Sequence, residues 1–597
     1  VTAAFVPMAV TGIAAISLNE PGGALDRPAN PQPDPADPQP DPADPQPDPG
    51  DPQPDPADPQ PDPADPQPDP ADPQPDPADP QPDPVDPQPD PVGPQQLSGF
   101  VIQGGPSEPP SQRAVGSALG DVNGDDIDDY IIKSGDSIYV LLGRTGSYGA
   151  RLDLSMLNNN EGFQINSSLP ISRVFNSLSS AGDVSGDGLS DIIIGKPFSD
   201  GLTGRAYVVY GKTDDDRQSD TAYNNGALDL GALANRNGIT INPPQGGSGT
   251  AIGCSVASAG DFNGDGWSDA IITVSGGQRT DGNYVIFGNQ HGLGDSFDES
   301  SLDGQRGFLI DFSSGITGSY AAGVGDINDD GFDDVIVTRG SQLNVVFGTS
   351  DEARLKDPNF NADGDQRLGD NFDLASVNGS NGFVISGYLD VKQSEGRPVS
   401  PAGDFNGDGI PDIVVSAPTY SVPDGDQKIG ATFLIYGRDT SFGASLNLKD
   451  DIVGGDGSAG LVIYGANPRD QSGWYVAGGG DINGDGYDDI IISTKPVDRD
   501  VDYIGTAKSY VVFGKANGYG SSLNLSSIKQ GDGNHGFTIE LREGGYDTNI
   551  FASIAGDING DGFDDIIVGD TTGQNYIIFG MARFDPVVDL GSLAGLS

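Results

Sequence analysis

The chain has 597 residues and sets 30 Lys and Arg against 88 Asp and Glu, a formal net charge of −58. So large an excess of acid repels phosphates, and no nucleic-acid partner is expected. The single cysteine, Cys254, excludes an intramolecular disulfide, and 89 Gly with 47 Pro point to short strands and many turns rather than long helices.

Residues 1–30 open with an apolar, uncharged stretch, AAFVPMAVTGIAAISL from Ala3 to Leu18. It is short for a membrane span and Pro7 interrupts it, so no transmembrane segment is expected. It reads as a signal remnant, although no basic segment precedes it, or as the edge of an upstream domain.

Residues 31–93 are nine heptads of PQPDPAD, altered only at Gly50, Val85, Val92 and Gly93. Three prolines per heptad fix φ and remove backbone donors, which leaves polyproline II. At ~3.1 Å per residue the tract reaches on the order of 200 Å when extended, and its repelling Asp residues stiffen it. We read 31–95 as an acidic proline-rich linker. A ligand for proline-reading domains is disfavoured, because the flanking Arg or Lys is missing.

From residue 96 onward one order of elements recurs seven times. Each unit has a GFxI-like run, at Gly99, Gly162, Gly238, Gly307, Gly382, Gly460 and Gly536. Roughly twenty residues later comes an acidic nine-residue loop, then a β-branched run, then a second apolar run ending in glycine, such as YVVYG from Tyr207. Successive loops lie 62 to 78 residues apart, room for four short strands. Continuous Ile/Val runs fit strands buried on both faces. The expected fold is all-β, a seven-bladed β-propeller of four-stranded blades over 96–597. A DLxxL-like segment stands before or near most GFxI runs and is degenerate before Gly99, while the chain ends on VDLGSLAGLS from Val588. This predicts that Val588–Leu593 packs beside Gly99–Ile102 and closes the ring.

The loops carry the chemistry. Position 1 is Asp121, Asp183, Asp261, Asp326, Asp404, Asp481 and Asp557, and position 3 is Asn123, Ser185, Asn263, Asn328, Asn406, Asn483 and Asn559. Position 5 is Asp125, Asp187, Asp265, Asp330, Asp408, Asp485 and Asp561, and position 9 is Asp129, Asp191, Asp269, Asp334, Asp412, Asp489 and Asp565. Position 7 offers a backbone carbonyl from Ile127, Leu189, Trp267, Phe332, Ile410, Tyr487 and Phe563. Oxygen ligands at this spacing suit Ca²⁺, which takes six to eight of them, so about seven Ca²⁺ are expected, with the Ser185 site weak. Position 6 is glycine except at Asp126, where a left-handed backbone is expected. An EF-hand is excluded, because position 12 holds strand residues such as Ile132 and Val568 instead of a bidentate Glu.

These units resemble FG-GAP repeats, the blades of the integrin-α head that also occur in bacterial surface and secreted proteins. The Gly-Ala-Pro signature survives best as Ser416-Ala417-Pro418 and Gly195-Lys196-Pro197. The resemblance covers about 96–597. It implies a propeller with Ca²⁺ loops on one face, loops free for an extracellular protein or glycan ligand, and a secreted or cell-surface adhesion module. The alternatives are the propeller part of a secreted carbohydrate- or lipid-active enzyme, and a structural matrix element.

No catalytic constellation is legible. His291 and His535 are the only histidines, each in a glycine-rich loop without a nucleophile beside it. Trp267, Tyr487 and Phe563 are expected to pack at blade edges rather than bind sugar. Alternation predicts that one of the adjacent Trp474 and Tyr475 is buried and the other exposed. Cys254 is expected to be an inert core thiol.

Overall fold

The computed structural model describes residues 98–594 apart from segments within connecting loops, of which 105–115, 167–176, 357–370 and 388–398 are the longest. The apolar segment 1–30 and the whole of the linker 31–95 lie outside the described residues. Among the described residues no helix is long and apolar enough to cross a membrane.

Seven sheets follow one plan. Blade 1 runs from its innermost strand Gly116–Gly120 through Asp129–Ser134 and Ser137–Leu141 to Gly162–Asn166, all antiparallel. A short outer strand, Ala227–Asp229, then pairs parallel with Gly162–Asn166. Each GFxI run after the first is therefore the fourth strand of the blade whose acidic loop precedes it. The sequence units straddle two blades, and each blade gains a parallel fifth strand beyond the four expected.

This offset corrects the expected ring closure. Gly99–Gln103 is the fourth strand of blade 7, paired antiparallel with Asn575–Ile578. Its outer neighbour is Arg151–Asp153, so blade 7 lacks nothing. The tail strand Val587–Asp589 instead pairs with Thr538–Glu540 as the fifth strand of blade 6. Of the predicted contact, the short helix that follows, Leu590–Ala594, reaches the strand Gly99–Gln103, where a Cβ placed on Gly99 would stand 3.2 Å from Leu593 Cδ2. The N-terminal strand closes the ring and the tail braces it.

The first strands of successive blades touch in order, and that of blade 7, Ile550–Gly556, touches Gly116–Gly120 of blade 1. Second strands such as Asp129–Ser134 and Asp412–Ala417 are buried throughout, as their continuous apolar runs require. The core lies between blades. Ile336, Leu343 and Val345 of blade 4 pack with Ile413, Val415 and Phe433 of blade 5. Phe100 and Ile577 of blade 7 pack with Tyr130 and Ile132 of blade 1 in the same way.

Candidate metal centres

Each acidic loop joins the first strand of a blade to its second, so all seven lie at one face of the ring. Hydrogen bonds fold the loop around its own carboxylates. In blade 1, Asp121 Oδ1 accepts the N–H of Gly124 at 2.6 Å and Oδ2 that of Asp126 at 2.8 Å. Asp125 Oδ1 accepts the N–H of Ile127 at 3.1 Å, fixing the position whose carbonyl was assigned a ligand role. Both patterns, position 1 to the N–H of position 6 and position 5 to that of position 7, recur in the other six loops. Asp126 has φ 63°, as expected of the residue standing where the others have glycine. Asp329, at position 4 of loop 4, has φ 55° and likewise stands where the other loops have glycine, two positions earlier.

Position 9 differs from the rest. Asp129, Asp191, Asp269, Asp334, Asp412, Asp489 and Asp565 are all 0% exposed. One oxygen of each accepts the N–H of the glycine that ends the third strand, from Gly143 at 2.7 Å to Gly580 at 2.8 Å. That glycine is the one closing each YVxxG run. Burial pushes Asp412 up to about 8 and Asp565 up to about 9, and lifts the other five well above the usual carboxylate range. Asp269 Oδ2 and Asp412 Oδ2 are buried with no hydrogen-bond partner.

A buried carboxylate oxygen without a partner is costly unless a cation or proton meets it. The donor set at positions 1, 3, 5 and 9 is all oxygen, which fits a hard divalent ion. Among the described residues no three carboxyl, imidazole or thiol groups are already gathered as a metal cage. Hydrogen bonds hold the three carboxylates of each loop in its turn. Asn123 illustrates this, its Oδ1 accepting the Asp125 N–H at 3.1 Å while its Nδ2 donates to Asp125 Oδ2 at 3.2 Å.

Position 8 is a feature the sequence reading missed. Its side chain leans onto the neighbouring blade, over the glycine that precedes every loop. A Cβ on Gly260 would lie 2.1 Å from Asp333 Oδ2, and one on Gly403 2.2 Å from Asp488 Oδ2. Where position 8 is Asp, it also accepts the position-1 N–H of the preceding loop. Asp333 takes that of Asp261 at 2.7 Å, Asp488 that of Asp404 at 2.8 Å, and Asp564 that of Asp481 at 2.7 Å. Burial, with the charges of Asp128, Asp488 and Asp557 added, pushes Asp564 up to about 6. The legible signal was a glycine before all seven loops, Gly120 through Gly556.

The aromatic residues at position 7 pack as expected. A Cβ on Gly264 would meet Phe332 Cε1 at 2.4 Å, and one on Gly484 would meet Phe563 Cε1 at 2.4 Å. Tyr487 covers Gly407 and Trp267 covers Gly186 in the same manner. Loop 4, with Asp329 in place of that glycine, is followed by Ile410 rather than a ring.

A second missed pattern lies five residues after the glycine ending the third strand. Tyr148 stacks on Phe100 with centroids 4.6 Å apart, and Phe442 on Phe383 at 4.3 Å. In blades 2 and 4 a short helix supplies an arginine instead, Arg217 over Phe163 at 5.2 Å and Arg354 over Phe308 at 5.6 Å. His291 and His535 are exposed, on blades 3 and 6. Cys254 is half-buried 3.8 Å from Ser275 Oγ, and burial raises its thiol. Alternation fails at Trp474 and Tyr475, both half-buried. The strand begins only at Tyr475, and Lys495 Nζ stands 3.7 Å from the Trp474 ring centroid.

A family model for the FG-GAP repeat matches residues 175–209 and 399–434, the parts of blades 2 and 5 that hold Gly195-Lys196-Pro197 and Ser416-Ala417-Pro418. Integrin alpha-V of Gallus gallus is 27% identical over 252 residues, which is 42% of this chain and 21% of the relative. Integrin alpha pat-2 of Caenorhabditis briggsae is 28% identical over 237 residues, 39% of this chain and 17% of the relative. Phosphatidylinositol-glycan-specific phospholipase D of Homo sapiens is 33% identical over 171 residues, 28% of this chain and 18% of the relative. The matched part is thus about a fifth of each relative's length. Seven sheets close into a ring, two of its blades carry FG-GAP repeats, and over part of its length the chain is similar to integrin alpha chains.

Proposed function

We propose that this chain is a Ca²⁺-binding, extracellular ligand-binding module in which the ions stiffen the blades and the loops take an extracellular protein or glycan. The observation that carries the metal reading is the buried position-9 carboxylate, present in all seven loops and left with an unpartnered oxygen at Asp269 and Asp412. Positions 1, 3, 5 and 9 would hold the ion with side-chain oxygens, and position 7 with its carbonyl. A bound ion supplies the charge that lets position 9 stay ionised out of water. The adhesion reading is supported by similarity to integrin alpha-V and to integrin alpha pat-2.

The test has two arms. Calorimetry on the full chain is expected to find about seven Ca²⁺, with the Ser185 site among the weakest. Two or fewer at saturation would overturn the loop assignment. Cell-binding and glycan-array assays with and without Ca²⁺ are expected to show a Ca²⁺-dependent ligand. Similarity to a phosphatidylinositol-glycan-specific phospholipase D favours a second reading, a propeller that serves a secreted lipid-active enzyme. Binding to glycosylated phosphatidylinositol vesicles, with no cell or glycan-array signal, would select that reading.

A further inference from the structure

The seven loops are in contact with one another, and the contacts are not equal around the ring. The N–H of position 8 donates to the position-1 carbonyl of the preceding loop, as Ser190 does to Asp121 at 2.9 Å and Asp488 to Asp404 at 3.3 Å. At some junctions an Asp at position 8 also returns a carboxylate to the position-1 N–H, as Asp488 does to Asp404 at 2.8 Å. Ser190 and Ser268 make no such side-chain bond among the described residues. Pro411, at the junction between blades 4 and 5, has neither an N–H nor a polar side chain to offer.

From this we infer that the metal loops load cooperatively along a chain of neighbours, with position 8 as the coupling residue and Pro411 as the break in the run of position-8 links, at a junction that keeps the backbone bond from the Arg438 N–H to the Ile327 carbonyl at 2.9 Å. The inference rests on the Ca²⁺ reading above. Position 8 belongs to two loops at once. It stands one residue before the buried ligand at position 9 of its own loop, and it holds the backbone of the first ligand of the loop before. Asp488 accordingly feels the charges of both Asp404 and Asp481. An ion that fixes loop 6 at Asp489 also fixes Asp488, and Asp488 then holds Asp404 in place for the ion of loop 5. The ordering cost of loop 5 is partly met before its own ion arrives, which is positive coupling, and linkage makes it reciprocal. The carboxylate also keeps a negative charge between two neighbouring cations. Carboxylates at position 8 link loop 5 to 6, loop 6 to 7 and loop 7 to 1, a run of four sites that crosses the closure of the ring. Asp333 links loops 3 and 4 as a pair. Loop 2 has serine at both of its junctions and at position 3.

The experiment uses the full chain with Asp408→Asn, which removes a charged ligand of loop 5 but keeps an oxygen for the Ile410 N–H. Hydrogen exchange of each loop is followed by mass spectrometry as free Ca²⁺ rises, giving a midpoint loop by loop. The midpoint of loop 6, across the Asp488 junction, is expected to rise about fivefold or more, the lower end of ordinary coupling. That of loop 4, across Pro411, is expected to stay put. Loops 4 and 6 moving alike, or neither moving, would overturn the coupling. If Ca²⁺ protects no loop in the unmodified chain, the metal reading itself falls, and that outcome is distinct. Asp488→Ser supplies a second variant in which every ligand of loops 5 and 6 remains and position 8 carries the residue blades 2 and 3 already use. It is expected to make loops 5 and 6 load independently. Unchanged coordination between them in that variant would also overturn the proposal.

Discussion

The carboxylate of Asp128 accepts the backbone N–H of Asp557 at 3.1 Å, although 429 positions separate the two residues. It is the same bond that Asp333, Asp488 and Asp564 make between blades adjacent in sequence. The junction between blades 7 and 1 is thus built like those three. The Arg144 N–H donates to the Ile558 carbonyl at 3.0 Å there, just as Lys515 does to Phe405 at 2.9 Å. Tyr148 adds a third link, its hydroxyl donating to Ile558 O at 2.7 Å.

Closure by the first strand makes Phe100 a keystone. It is fully buried, stacks on Tyr148 of blade 1 and belongs to blade 7 by its strand pairing. Phe100→Ala is expected to destabilise the chain by about 3–5 kcal/mol, as buried Phe truncations do. Hydrogen exchange is expected to rise on both sides of the junction, at Asn575–Ile578 and at Asp129–Ser134. A change confined to blade 7 would show that the ring does not depend on this strand.

Removal of residues 586–597 tests the tail separately. It deletes the fifth strand of blade 6 and the Leu593 contact at Gly99. Protection is expected to fall first at Gly536–Glu540, and less at Gly99–Gln103, which keeps its partners Asn575–Ile578 and Arg151–Asp153. Greater loss at Gly99–Gln103 than at Gly536–Glu540 would reinstate the tail as the closing element.

Gly264 sits at φ +72°, and a Cβ there would come within 2.4 Å of Phe332 Cε1. Gly264→Ala is expected to cost about 1–2 kcal/mol for the left-handed backbone and about 1–3 kcal/mol for the overlap. Only the second part depends on the ring. Adding Phe332→Ala is therefore expected to make the two changes less than additive, measured by a double-mutant cycle in denaturant. Simple additivity would show that the contact between loops 3 and 4 carries no strain.

How much of this was legible follows from what each residue has to satisfy locally. Strands, loop register and blade number are written in short-range pattern, such as the apolar run Asp191–Lys196 or the Gly that precedes each loop. A left-handed turn at Asp126 is equally local. Which blade a strand joins is not. The GFxI run at Gly99 has the same sequence whether it opens one blade or closes another, and only its pairing with Asn575–Ile578 decides. Position 8 escaped notice for the same reason, because Asp488 acts on Asp404 in the preceding blade and forms no pattern within its own loop. Alternation does not govern Trp474 and Tyr475, because the strand begins only at Tyr475.

Ca²⁺ removal is expected to lower the melting temperature sharply, since a site at ten times its Kd contributes roughly 1.4 kcal/mol. Mg²⁺ is expected to rescue poorly, because it holds its water and demands a tighter octahedron. An unchanged melting curve in chelator would show that the loops need no ion.

The chelated chain has a pH dependence of defined sign. The position-9 carboxyls bind their protons more tightly in the folded state, because burial lifts Asp412 to about 8 and Asp565 to about 9 from an ordinary 3.8. A folded state that binds more protons loses stability as pH rises. In chelator the contribution is therefore full below the unfolded value near 3.8 and is lost progressively as pH climbs toward about 8 and 9. Melting temperature in EDTA is expected to fall between pH 5 and pH 9. Saturating Ca²⁺ reverses the demand, since an ion displaces the proton and favours the ionised form, so the same interval is expected to flatten or slope upward. Asp412→Asn, which keeps an oxygen for the Gly437 N–H and carries no titrating proton, is expected to remove part of the fall in EDTA. Parallel curves with and without Ca²⁺ would mean that position 9 neither holds the proton nor meets the ion.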